Sequence, residues 1–244
     1  MKSYFIWLTV IFVFTLGLLS CSNSRGKPKT SDIPVVPSDV ADFQQLYKQN
    51  CAGCHGSNGK GGPAIALSDP VYLAIADDEV LHRVITNGIA GTLMPAFGHS
   101  AGGMLTDKQI DAIVRGIRDR WSKPDALSGE APPPYSTSVS GDASRGLNVY
   151  ITFCSSCHGT DGRGGKKAGS IVDASFLALT NDQVMRTIVI VGRPELGAPD
   201  WRENVPGKPM SAQDVSDVVA WLASQRQAFP GQPYSNAKLI GEKR

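Results

Sequence analysis

The chain has 244 residues, 41% of them hydrophobic and 19% charged, with 24 lysines and arginines against 22 aspartates and glutamates. A normal apolar share excludes intrinsic disorder, and a formal net charge of +2 excludes a polyelectrolyte built for nucleic acid. Length allows one or two domains, and with only 7% aromatic residues each half needs something besides side chains to fill its core.

The N-terminus reads as a targeting segment. Lys2 precedes an uncharged run from Tyr4 to Leu19. That run is short for a spanning helix, which needs about 20 residues, but suits a secretory signal. It ends in Leu18-Leu19-Ser20-Cys21. This ending resembles the bacterial lipoprotein box, in which the cysteine is lipidated and becomes the first mature residue. Leu19 is larger than is usual there. Residues 1–20 are therefore expected to be a signal peptide, Cys21 the lipidation site, and 21–38 a polar tether. The competing reading is an uncleaved anchor with an incidental cysteine. Both export the body and hold it at a membrane.

The other four cysteines fall in two pentads, Cys51-Ala52-Gly53-Cys54-His55 and Cys154-Ser155-Ser156-Cys157-His158. C-x-x-C-H is the pattern for covalent attachment of a c-type haem. Two intervening residues let one helical turn present both thiols to the ring edge. The histidine that follows then lies beneath the iron. A redox dithiol would sit in a βαβ pattern, which is not visible here, and a zinc site would need four ligands in tetrahedral order.

The pentads belong to an internal repeat. Leu46-Tyr47 matches Val149-Tyr150 before them, and Gly56 to Gly62 matches Gly159 to Gly165 after them. Further on, Val80-Leu81, Val84-Ile85 and Gly88 match Val184-Met185, Ile188-Val189 and Gly192. Late in each half an apolar stripe predicts a helix, Ile110, Ile113, Val114 and Ile117 in one, Val215, Val218, Val219 and Leu222 in the other. Thr106 and Ser211 are the expected N-caps. Thr187 to Val191 is β-branched, but no strand alternation competes with the helical pattern. The expected domains are 39–123 and 139–229. Residues 124–138, containing Pro132-Pro133-Pro134, read as a semi-rigid linker and 230–244 as an unpatterned tail.

From about Val40 to Arg226 these residues resemble class I c-type cytochromes in tandem, as in dihaem electron carriers. The resemblance implies an all-α fold, with two small helical domains each wrapped around a covalent haem. It implies Cys51, Cys54, Cys154 and Cys157 as thioether attachments, with His55 and His158 as proximal iron ligands. Leu93-Met94-Pro95-Ala96-Phe97 looks like the family's M-P-x-[FW] segment, which makes Met94 the sixth ligand of the first haem. In the second half, Gly197-Ala198-Pro199-Asp200-Trp201 keeps the proline and the aromatic but has Ala198 in place of the sulfur. Either that iron has an open position or Met210 fills it. By register Met210 matches Leu105, so packing against the last helix is the equal alternative.

His82 and His99 are read as surface or loop residues. Pro63 is expected to shape a carbonyl that accepts the His55 ring N–H. Arg163, Lys166 and Lys167 form a short basic cluster, most simply a solvated loop. The expected function is single-electron transfer between a redox-protein donor and acceptor, on the periplasmic or outer side of the cytoplasmic membrane, without nucleic acid. A ligand-binding or peroxidase-like enzyme with an open second iron, and a fixed haem subunit of a respiratory complex, are the alternatives.

Overall fold

A computed structural model describes residues 34–228. The expected signal peptide, Cys21, most of the tether, and the tail from 230 lie outside the described residues. Residues 34–40 contain one 3-10 turn, Pro37–Asp39. The described part of the chain from Ala41 onward repeats one helical plan twice.

In the first half, α1 (Phe43–Asn50) starts at Asp42, whose carboxylate accepts the Gln45 amide at 2.8 Å. Cys51 ends α1 and begins the single turn α2 (Ala52–His55). Next comes α3 (Pro70–Ile75), capped by Asp69, with proline in the first turn where its missing N–H costs nothing. α4 (Asp78–Asn87) is capped by Asp77. α5 (Asp107–Trp121) opens with a reciprocal capping box between Thr106 and Gln109.

The second half runs the same course. α6 (Ala143–Phe153) leads into the one-turn α7 (Ser155–His158), then α8 (Ala174–Ala178), α9 (Asp182–Val191) and α10 (Ala212–Ser224). Ser211 caps α10 in a box with Asp214. The β-branched run Thr187 to Val191 is helical. Among the described residues there is no strand, only isolated bridges such as Gly98 with Leu105 and Arg193 with Ala198.

The apolar stripes do what their spacing requires. Ile110, Ile113 and Ile117 are fully buried, as is Val215. Burying each such side chain contributes about 1.5–3 kcal/mol. The first and last helices of each half cross at a glycine. A Cβ on Gly116 would lie 2.2 Å from the Phe43 ring, and one on Gly146 2.0 Å from the Asp217 carbonyl oxygen. Close approach is open only to glycine there.

The segment 124–138 has no regular helix, but it is not a free spacer. Gln183 donates to the Tyr135 carbonyl at 2.7 Å and Arg186 to that of Pro134 at 3.0 Å. Arg202 donates to the Ala126 carbonyl at 3.3 Å. The linker is strapped to the second half because its carbonyls find donors on α9 and beyond. No described helix is long and apolar enough to cross a membrane.

Candidate haem-binding sites

Both pentads fold as the spacing predicts. In each, the first cysteine closes the preceding helix, and the second cysteine and the histidine lie on the next turn. All four cysteines are free thiols. Burial, with the neighbouring cysteine adding, pushes the Cys51 and Cys154 thiols up to about 12.

The histidines are oriented by the glycine-rich loops. His55 Nδ1 lies 2.8 Å from the Ile65 carbonyl, and His158 Nδ1 lies 2.7 Å from that of Gly169. A carbonyl can only accept, so Nδ1 carries the proton and Nε2 keeps its lone pair. That is the tautomer a metal-ligating histidine needs, held as such ligands usually are. His55 is buried, and burial lowers its pKa, which favours the neutral ring. The acceptor is the Ile65 carbonyl, two residues beyond Pro63. In the second half, where sequence showed no equivalent, the Gly169 carbonyl performs the same task.

Each loop is pinned from both sides. Tyr47 donates its hydroxyl to the Gly56 carbonyl at 2.8 Å, and Tyr150 donates to that of Gly159. A Cβ on Gly59 would lie 2.9 Å from the Trp121 ring, and one on Gly162 3.3 Å from the Trp221 ring. The tight loop therefore needs glycine at both places.

The loop after α4 carries Met94 and the loop after α9 carries Ala198. The Met94 carbonyl accepts from the Ile89 amide at 3.0 Å, and the Ala198 carbonyl from the Arg193 amide at 2.9 Å. Ala198 thus stands in the place of Met94. Met210 stands in the place of Leu105: its amide donates to the Trp201 carbonyl at 2.9 Å, as that of Leu105 does to Phe97 at 2.7 Å. Both are buried just before the last helix. His82 pairs with Asp111 at 3.4 Å, partly exposed, and His99 opens an exposed 3-10 turn. Arg163 faces Asp161 across 3.5 Å in an exposed loop.

The two halves meet here. Arg193 donates to the Gly62 carbonyl at 3.0 Å and to Pro63 at 3.4 Å, and pairs with Glu195 at 2.6 Å. The loop over the second site is thereby joined to the loop behind His55. The repeat conceals this link, since Arg193 matches an apolar residue, Ile89. The buried Trp201 Nε1 has no acceptor among the described residues.

Two paired pentads, each with its histidine set for ligation inside a five-helix unit, define a tandem c-type cytochrome. The chain belongs to the family described as "Cytochrome C oxidase, cbb3-type, subunit III", which matches residues 38–115 and 141–222. Accordingly it carries two covalently bound c-type haems. It is similar to a "Cbb3-type cytochrome c oxidase subunit FixPc" of Rhizobium leguminosarum bv. viciae, 29% identical over 65% of this chain and 53% of that protein. A "Cbb3-type cytochrome c oxidase subunit CcoP" of Azospirillum sp. (strain B510) is 30% identical over 53% of this chain and 43% of that one. A "Cytochrome bc1 complex cytochrome c subunit" of Mycobacterium bovis (strain ATCC BAA-935 / AF2122/97) is 24% identical over 76% of this chain and 63% of that one. The chain spans about half the length of the first two of these relatives.

Proposed function

We propose that this protein passes single electrons between two redox proteins through its pair of haems. The observation that carries the reading is the repeated histidine geometry, Nδ1 tied to a loop carbonyl and Nε2 left for iron, next to two free thiols in each half. A c-type haem supplies a one-electron iron couple. Cys51, Cys54 and His55 hold one group, and Cys154, Cys157 and His158 the other. Met94 offers a thioether to the first iron, which favours the ferrous state and raises its potential. The two haem-bearing domains are about 39–123 and 139–229. Cys21, once lipidated, anchors the protein to a membrane with its body on the periplasmic or outer side.

A reductive titration of the haem-loaded chain tests this. Two one-electron waves and two haems per chain are expected. Met94→Ala is expected to lower one wave and leave the other in place. A single haem, or no reversible reduction, would overturn the reading.

A fixed place in a respiratory complex is the second reading, favoured by the family and by the names of the relatives, which are oxidase and bc1 subunits. Mild solubilisation separates the two. A mobile carrier migrates alone, whereas a subunit migrates with its complex.

A further inference from the structure

The second half lacks the thioether that the first half carries on the Met94 loop. The Met94 and Ala198 loops approach the preceding helix equally: a Cβ on Gly88 would lie 2.6 Å from the Met94 carbonyl oxygen, and one on Gly192 2.7 Å from that of Ala198. A methyl group cannot bind iron. The two described thioethers of this half, Met185 and Met210, are each 2% exposed and occupy the places of Leu81 and Leu105. The Met210 sulfur also lies 3.9 Å from the Asn204 amide nitrogen, which takes up part of its lone-pair density. Both sulfurs therefore act as core side chains.

Three residues after Ala198 stands Trp201, where the first half has Phe97. Its ring is 4% exposed and its Nε1 is buried, so the indole also acts as a core side chain. The charged neighbours are already committed, Arg193 to Glu195 and the Gly62 carbonyl, and Asp200 to Arg202 at 2.6 Å. Neither is free for acid–base chemistry, so the site suits binding rather than turnover.

We propose that the second haem leaves one position of its iron open to a small neutral diatomic ligand. The inference rests on the two-haem reading, which a pyridine haemochrome count secures separately.

The experiment uses the haem-loaded chain, reduced and titrated with CO. About half of the haem is expected to change its spectrum. Ala198→Met is expected to abolish the response, and Met210→Leu and Met185→Leu to leave it intact. Each of these two leucines already occupies the matching place in the first half, so the variants are expected to fold. No response to CO, a response at both haems, or a response seen only after Met210→Leu or Met185→Leu would overturn the open site.

Discussion

The last helix of each half, together with the residues just beyond it, performs the same two tasks with residues exchanged between positions. In the first half, Arg118 donates to the carbonyls of Leu73 and Ala76 and pairs with Asp78 at 2.6 Å. In the second, Arg226 donates to Leu177 and Thr180 at 3.3 and 2.8 Å and pairs with Asp182 at 2.7 Å. These are matching targets at the corner between the short and middle helices. Trp121 and Trp221 likewise both reach under the glycine-rich loop. Yet with α5 and α10 aligned on their capping boxes, Trp221 stands where Gly116 does, and Arg226 where Trp121 does. The neighbouring helix compensates, since Phe43 is opposite Gly116 and Gly146 is opposite Trp221. A long side chain reaches one target from different turns of a helix, so the fold retains the contact while the position drifts.

The strongest test breaks that compensation. Gly116→Trp alone drives a side chain into the Phe43 ring, which a Cβ would already meet at 2.2 Å. The expected cost is about 3 kcal/mol or more, with loss of haem incorporation in the first half. Adding Phe43→Gly, Arg118→Ala and Trp121→Arg imports the second half's whole arrangement, and is expected to recover part of that loss. Thermal unfolding of the haem-loaded variants reads the result. If the single variant is as stable as the parent, the crossing glycine is not the constraint.

A second difference is electrostatic. Asp217 on α10 is nearly buried and has no acidic counterpart on α5, where the aligned residue is Ala112. It accepts from the Arg145 guanidinium at 2.8 and 3.0 Å, the Asp142 amide at 2.7 Å and Gln213 at 2.8 Å. The Arg145 hydrogen bonds foremost hold its carboxyl at about 2. A depressed folded value means the stabilisation is complete above the ordinary 3.8 and is lost as pH falls from there through about 2. Acid is therefore expected to open the α6–α10 crossing before the α1–α5 crossing. Asp217→Ala is expected to cost about 2 kcal/mol at neutral pH and to remove this acid step. Hydrogen exchange on the two crossings against pH checks it.

Much of the site is legible in the residues. The pentads place cysteines and histidines on one turn, the apolar stripes place α5 and α10, and Thr106 and Ser211 cap as their side chains demand. Ala198 falls opposite Met94 in the structure as in the repeat, because a Gly before each loop fixes the alignment. The histidine acceptors were not legible. Ile65 and Gly169 act through backbone oxygens, which any residue supplies, and only the path of the loop selects them. The exchanged Trp and Arg were hidden because an alignment compares positions, whereas a side chain's reach decides the contact. The strapped linker was hidden for the first of these reasons, its carbonyls carrying no mark in the sequence.

The smallest expected effect concerns the joint between the halves, at a position where they differ outright. Ile89 in the first half has no polar group, whereas Arg193 in the second spans to Gly62 and Pro63. Arg193→Gln removes both hydrogen bonds and leaves Glu195 without its partner. The nearby Asp69 carboxyl is already raised by burial, with Asp200 and Glu195 adding to the rise. Losing a guanidinium from this group deepens the repulsion. The expected cost is about 1 kcal/mol at neutral pH. It should appear as roughly fivefold faster amide exchange across residues 60–66, with the α6–α10 core unaffected. A carboxyl with a raised folded value destabilises when ionised, so the deficit should narrow as acid protonates Asp69. Arg193→Gln with Glu195→Gln should recover part of it at neutral pH. A deficit that is the same at every pH would mean that the carbonyl bonds alone join the halves, and that the acidic neighbours are balanced without Arg193.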